Sequence, residues 1–245
     1  MNLSGKTVLV SGANRGIGFA VVNALLEKGV RKVYAAARDP KTLPDFGDGR
    51  IVPVKLDITD RAQIDAVAAS AIDVDLLINN AGVASFSSIL DGPRDLVERD
   101  MNTNYYGTLD MVRAFVPVLE TKKGAAIVNV VTIAAFSGFP IIGGYSASKS
   151  ALFSLSQSIR TELASKGIAV HTVNPGPIDT ELAKEFPTDK ASPESTAENI
   201  LLGLENAEAD IFPDEQGQQM FETWKTDYRK LERMVFEMHQ EALAS

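Results

Sequence analysis

Tyr145 and Lys149 set an aromatic hydroxyl and an ammonium four residues apart in Tyr145-Ser146-Ala147-Ser148-Lys149. On a helix that spacing puts both groups on one face, aimed at one small volume, an arrangement suited to moving a proton. Alone the spacing is weak evidence, because the same pair occurs solvated on many surface helices. A second set of residues with chemical meaning is the turn Ser11-Gly12-Ala13-Asn14-Arg15-Gly16-Ile17-Gly18, which follows the apolar run Lys6 to Val10 directly. Glycines where a strand turns into a helix let the backbone pass close to a pyrophosphate held at the helix N-terminus. A glycine-rich turn that binds nothing is the plain structural alternative. Metal and thiol chemistry have little to work with. There is no cysteine, and the two histidines, His171 and His239, are too distant to build a zinc site.

The elements that must position these residues alternate along the chain. Strands are expected at Lys6 to Val10, Lys32 to Ala36, Ile51 to Lys55, Asp75 to Ile78, Ala125 to Val131, Ile168 to Val173 and Asp210 to Phe212. Helical patterns fall between them, from Phe19 to Lys28 and at 60–70, 93–100, 103–121, 144–165 and 193–206, with Pro117 expected to kink the fourth of these six. Near-continuous apolar strands separated by helices imply right-handed crossovers, hence a Rossmann-type α/β fold: a doubly wound parallel sheet of about seven strands with helices on both faces. No linker, charge block or internal repeat divides residues 1–245, so one domain is expected. After Pro213 the apolar residues Leu231, Met234, Val235 and Met238 recur at helical spacing in a charged segment, so 213–245 is expected to be a helical extension packed on the domain or on a partner.

Composition narrows the partners. Hydrophobic residues make up 45% and charged residues 23%, an ordinary globular balance with one sizeable core. The 24 basic and 32 acidic side chains leave a net charge of −8, which repels phosphate backbones and anionic headgroups, so nucleic acid and membrane surfaces are not expected partners. Residues Met1 to Lys6 lack a charged segment followed by an apolar one, and no later apolar run reaches the roughly 18 residues needed to cross a bilayer. The cytoplasm is the expected compartment.

The glycine spacing G-x-x-x-G-x-G, taken with Tyr-x-x-x-Lys, resembles the short-chain dehydrogenase/reductase family, and its carbonyl-reductase-like members in particular. The resemblance implies that Asn14, Arg15 and Ile17 join Gly12, Gly16 and Gly18 as contacts to a nicotinamide dinucleotide. Asn79-Asn80-Ala81-Gly82 matches the family's signature after the fourth strand, which puts Asn80, Ala81 and Gly82 on the adenosine side of the cofactor. Asp57, with Ile58 beside it, matches the adenine-contacting carboxylate, although an aspartate there could also simply cap the following helix. Pro175-Gly176-Pro177-Ile178-Asp179-Thr180 resembles the loop beside the nicotinamide, with Pro175, Gly176, Ile178 and Thr180 as contacts; as pure structure it is a tight turn after a strand.

Cofactor choice turns on the residue just after the second strand, where a carboxylate suits a ribose diol and a cation suits a phosphate. Arg38 stands there, with Arg15 as a second cation, and this is similar to the NADP-preferring members; NADP(H) is expected over NAD(H). Asp39 could accept from a ribose hydroxyl or pair with Arg38, and Arg38 could be a plain surface residue.

The resemblance also assigns a catalytic set. Tyr145 would give a proton to the substrate oxygen as hydride leaves the nicotinamide, or take one in reverse. A free phenol titrates near about 10, and both the Lys149 ammonium and an oxidised nicotinamide would favour phenolate. Lys149 also has donors for ribose hydroxyls. Asn104, in Asn104-Tyr105-Tyr106-Gly107, matches the Asn-x-x-Gly that bends its helix and supports a proton-relay water; Asn102 lacks the glycine three residues on. The family serine lies thirteen residues before the tyrosine, and Thr132 occupies that position. Threonine keeps the hydroxyl, while its methyl restricts χ1 and crowds the pocket floor. Ser137 is a poor substitute five residues on. His171 reads as a packing residue of the sixth strand, His239 as solvated, and Phe221 and Trp224 as anchors of the terminal helix.

Stretches 134–139, 141–144 and 178–186 should border the site; they are mostly apolar and contain no arginine. A neutral, medium-sized ketone or aldehyde, aromatic ones included, is therefore the expected substrate, with the secondary alcohol as its partner. The loop from Thr180 to Pro193 could act as a lid. Family members pair through helices matching 103–121 and 144–165, so a homodimer is expected; the charged C-terminal extension puts the family's tetramer route in doubt. The expected activity is an NADPH-dependent carbonyl reductase, or alcohol dehydrogenase in reverse. The alternative is a cofactor-binding sensor or scaffold whose catalysis Thr132 has blunted. A dehalogenase would require a halide pocket and an arginine in place of Lys149.

Overall fold

A computed structural model describes residues 1–184 and 188–244. Seven parallel strands form one sheet: β1 (Thr7–Ser11), β2 (Lys32–Ala37), β3 (Ile51–Lys55), β4 (Leu76–Asn79), β5 (Ala125–Val130), β6 (Ile168–Val173) and β7 (Asp210–Ile211). Their order is β3-β2-β1-β4-β5-β6-β7. The order reverses between β1 and β4, whose register pairs Val10 with Ile78. In such a sheet the connections leave in opposite directions at the reversal and open a crevice outside the carboxyl ends of the strands. The loops after Ser11 and Asn79 lie on that crevice.

Helices cover both faces because the strands are apolar on both. In β1, Val8 and Val10 pack with Val21 and Leu25 of α1 (Gly16–Glu27), and with Ile200 and Leu204 of the later helix Pro193–Glu205. The intervening Leu9 points the other way and packs with Ile64 of α2 (Arg61–Ser70). Phe115 and Ile159, from two helices further along the chain, complete that second layer. Alternation with a period of two has been used to fill two cores.

The first of those two helices differs from expectation. Instead of separate segments at 93–100 and 103–121, α3 (Arg94–Asp100) continues through a π-helical stretch, Met101–Gly107, into α4 (Thr108–Leu119). The irregularity lies at the π turns rather than at Pro117, which stays inside α4. Gly107 has a packing reason: a Cβ there would lie 2.7 Å from the carbonyl oxygen of Ile58. The second helix, α5 (Gly143–Ala164), is tied to the sheet by a buried polar chain. Asn79 Nδ2 donates to Asn129 Oδ1 (2.9 Å), Asn129 Nδ2 to Ser156 Oγ (2.9 Å), and Ser156 Oγ to Leu152 O (2.7 Å). That chain fixes the helix carrying Tyr145 and Lys149 against β4 and β5.

The helix Pro193–Glu205 is α6. The tail then forms two helices rather than one, α7 (Glu215–Thr226) and α8 (Tyr228–Ala244). Asp227 breaks the run: its backbone is extended and its carboxylate accepts from Lys230 N–H at 3.0 Å, starting a new helix. Leu231 and Val235 are buried, whereas Met238 at the end of the expected stripe is exposed. Phe221 and Trp224 do anchor the tail: Phe221 stacks on Phe212 (centroids 4.1 Å apart), Trp224 stacks on Phe221, and both meet Phe136 at 5.1 Å. Among the described residues no helix is long and apolar enough to cross a membrane.

Candidate active site

The glycine turn is built by close approach. Gly12, at φ +67°, abuts Ala81, whose Cα would be 3.0 Å from an added Cβ. Gly18 is tighter still, since a Cβ would fall 2.2 Å from Gly12 O and 2.4 Å from Asn80 Nδ2. Asn80 stitches the turn together, its Nδ2 donating to Ser11 O and Gly12 O at 3.0 Å each. Ser11 Oγ accepts from the N–H groups of Asn80 and Ala81. Gly16, at φ +55°, would bring a Cβ to 3.1 Å from Thr180 Cγ2, so the start of α1 faces the loop after β6. That start carries no side-chain cap and no acidic residue in its first turn. Its N–H groups and the positive end of the helix dipole are left to meet an anion.

The other residues expected on the nucleotide side lie in the turn itself and in the segments after β2, β3 and β6. Asn14 Nδ2 donates to Thr42 Oγ1 at 3.3 Å, joining the turn to the segment after β2. Arg15 and Arg38 are exposed, and Ile17, two residues after Arg15, is half-buried. Asp39 does not pair with Arg38. It accepts instead from Lys41 N–H at 3.0 Å and caps a short turn. Asp57 closes its own turn, accepting from Thr59 N–H (2.9 Å) and Oγ1 (2.7 Å), and the cap of α2 is Asp60. Ile58 is buried against Gly107. Across the crevice, Ile178 is buried and bridges to Ala191, and Thr180 Oγ1 donates to Ile178 O at 3.3 Å. Phe186, expected to border the site, lies outside the described residues.

The four candidate catalytic residues converge from three elements. Asn104 is fully buried in the π turns, where its side chain pairs both backbone groups of Val83: Nδ2 donates to Val83 O (2.8 Å) and Oδ1 accepts from Val83 N–H (2.9 Å). The same Nδ2 donates to Ser148 Oγ at 2.9 Å, on the helix of the tyrosine. Lys149 Nζ donates to Val130 O at 2.6 Å and stands 5.8 Å from the centre of the Tyr145 ring. Thr132 follows β5, its hydroxyl donating to Pro175 O and accepting from Ala134 N–H, both at 3.2 Å.

Burial dominates the electrostatics. The Tyr145 phenol is pushed up to about 12 by desolvation, with the Thr132 hydroxyl pulling the other way and the Asp100 charge adding to the rise. Lys149 is pushed down to about 8 by burial, against the attraction of Asp100. Desolvation of the phenolate sets the direction of the Tyr145 shift, opposite to the pull expected of the ammonium and an oxidised nicotinamide together. At neutral pH the site presents a protonated phenol, able to hand a proton to an oxygen placed beside it.

Two acidic residues tied to the site went unread in the sequence. Asp100 is fully buried one turn before Asn104; its carboxylate accepts from Ser85 N–H (3.1 Å) and Ser85 Oγ (2.7 Å), with Arg99 Nε at 4.0 Å. Asp100 and Asn104 thus grip Ser85 and Val83, alternate residues of one loop, from successive helical turns. The available signal was the four-residue spacing, hidden in the charged run Glu98-Arg99-Asp100. Asp214 joins α7 to the loop after β6, and its signal was an aspartate three residues before Gly217. Ser137 is buried with no partner for its hydroxyl among the described residues. His171 Nδ1 donates to Glu208 O (2.6 Å) and its pKa is lowered chiefly by burial, a packing role; His239 is half-buried.

Known proteins resemble this chain in sequence and fold. A crystal structure of a short chain dehydrogenase from Burkholderia cenocepacia J2315 in complex with NADP superposes with a TM-score of 0.92, covering 96% of this chain and 99% of that one at 36% identity. The NADP-dependent 3-hydroxy acid dehydrogenase of Schizosaccharomyces pombe is 32% identical over 88% of this chain and 95% of its own length. The sorbitol dehydrogenase of Cereibacter sphaeroides is 35% identical over 74% of this chain and 73% of its own. The sequence pattern of the short chain dehydrogenases matches residues 6–191. The chain belongs to the short chain dehydrogenase family of oxidoreductases.

Proposed function

We propose that the protein is an NADP(H)-dependent reductase of a neutral ketone or aldehyde, with Tyr145 as the proton donor. One observation carries the reading. A Cβ on Gly82 would lie 3.0 Å from Asn104 Oδ1 and 3.4 Å from Lys149 Nζ. The backbone of the nucleotide-side loop thus touches the amide and the ammonium beside the phenol, which makes the crevice and the titrating pair one site.

The residues present fit a dinucleotide: the uncapped start of α1 for its pyrophosphate, Gly12 and Gly18 for close backbone passage, Asp57 for the adenine side, and Pro175, Gly176, Ile178 and Thr180 for the nicotinamide side. A bound nicotinamide supplies the hydride. Arg15 and Arg38 would take the extra phosphate of NADP, and the NADP held by the Burkholderia relative and the NADP dependence of the Schizosaccharomyces relative support that choice. Lys149 would hold ribose hydroxyls, Thr132 would place the substrate oxygen, and Tyr145, protonated at neutral pH, would complete reduction by giving its proton. A homodimer through α4 and α5 belongs to the same reading.

The test is consumption of NADPH across a panel of neutral ketones and aldehydes by the wild type and Tyr145→Phe. The variant should bind NADPH and lose turnover; full activity in it would overturn the mechanism. One observation favours a second reading, a catalytically weakened cofactor-binding protein: the Thr132 hydroxyl already donates to Pro175 O. Tight NADPH binding with no turnover on any panel member, restored by Thr132→Ser, would support that reading instead.

A further inference from the structure

The two helices after β7 do more than cover the domain's edge. Asp214, only 8% exposed, points its carboxylate into the joint between α7 and the loop after β6. Oδ2 accepts from Gly176 N–H and Oδ1 from Gly217 N–H, each at 2.8 Å. The two backbones are nearly in contact there. A Cβ on Gly176 would lie 2.6 Å from Asp214 Oδ1, and a Cβ on Gly217 would lie 3.1 Å from both Asn174 O and Gly176 N. Glycine on both sides of a buried carboxylate leaves room for one arrangement only.

Other residues along α7 reach the remaining walls of the site. Gln216 Nε2 donates to Asp189 O at 3.1 Å, on the far side of the expected lid. Phe221 and Trp224 pack on Phe136, which ends the short helical turn begun at Thr132. Ile133 N–H in that turn donates to Pro175 O at 2.9 Å. The extension therefore braces the loop after β5, the loop after β6 and the lid from one side.

We propose that Asp214 is a positioning residue that sets the Pro175 to Thr180 loop for the nicotinamide half of the cofactor, so that the C-terminal extension forms part of the cofactor site without touching the reacting atoms. The inference rests on the proposed placement of the nicotinamide beside that loop. Asp214 acts through Gly176: its two oxygens accept from a half-buried N–H on the loop and a buried N–H on α7, and this fixes where the loop backbone runs.

Asp214→Asn keeps the shape and turns one acceptor into a donor facing an N–H group. Affinity is measured for NADPH and for the adenosine bisphosphate fragment that lacks the nicotinamide, with circular dichroism as a check on folding. The wild type should bind both. The variant should keep its spectrum, bind the fragment as before and bind NADPH about tenfold more weakly, the size expected for one charge-assisted hydrogen bond. Equal weakening of both ligands, or of neither, would overturn the proposal. If the variant does not fold, Gly217→Ala, which pushes α7 off Gly176, carries the same comparison; failure of both variants to fold would make Asp214 a core residue and overturn the positioning role. A wild type that binds neither ligand would instead overturn the function proposed above.

Discussion

Burial of the Lys149 ammonium should cost the protein stability at neutral pH, and that cost should fade in alkali. The residue is 4% exposed and its ammonium is pushed from 10.5 down to about 8 by burial. Between those values the unfolded chain binds more protons than the folded one, so stability rises with pH across that window. At one pH unit per 1.36 kcal/mol, the protonated side chain costs the fold about 3.4 kcal/mol below pH 7. Lys149→Met removes the titration and keeps the length. It also leaves Val130 O without its 2.6 Å donor, a loss of about 1–3 kcal/mol that does not vary with pH. The net difference at pH 7 is small, and the informative quantity is its change. Integrating the linkage from pH 7 to pH 9.5, the wild type should gain about 2 kcal/mol relative to Lys149→Met. For a chain of this size that is a relative Tm shift of about 4–8 °C. Urea unfolding of both proteins at the two pH values measures it, with the other titrating groups common to both. A difference that is the same at pH 7 and 9.5, or that moves the other way, would refute the assignment of a desolvated ammonium at this position. The variant should have lost turnover at both pH values.

Thr132→Val should reduce kcat by about 10²–10³ through loss of one oriented donor, while Thr132→Ser stays near wild type; unchanged turnover in the valine variant removes threonine from the mechanism. Arg38→Asp should move the ratio of kcat/KM values from NADPH toward NADH by about tenfold or more, since a charged hydrogen bond to phosphate becomes a repulsion; an unmoved ratio would show that Arg38 does not read the phosphate. Gly18→Ala should destabilise the fold by about 2–4 kcal/mol in urea titrations, because the new Cβ at 2.2 Å from Gly12 O displaces the turn and breaks the Asn80 bonds. Gly49→Ala, with open space around it, is the control and should stay within about 0.5 kcal/mol.

Local pattern determined the architecture. Apolar runs rich in β-branched residues specified the strands, intervening helical periods specified parallel crossovers, and the four-residue spacing of Tyr145 and Lys149 put phenol and ammonium on one face, because these properties depend on neighbours within a turn or two. The glycine turn was legible for the same reason, although its spacing could not show that Gly18 is needed for Asn80, which lies 62 residues away in the chain. Tertiary structure alone decided the rest. The shifts of Tyr145 and Lys149 follow from desolvation by elements far off in sequence, which the spacing of the pair does not encode. Asn104 holds Val83, Asp100 holds Ser85 and Asp214 holds Gly176 across separations of 15 to 38 residues. A carboxylate in a sequence has no address until folding brings an N–H group to it and excludes the water that would have served as well.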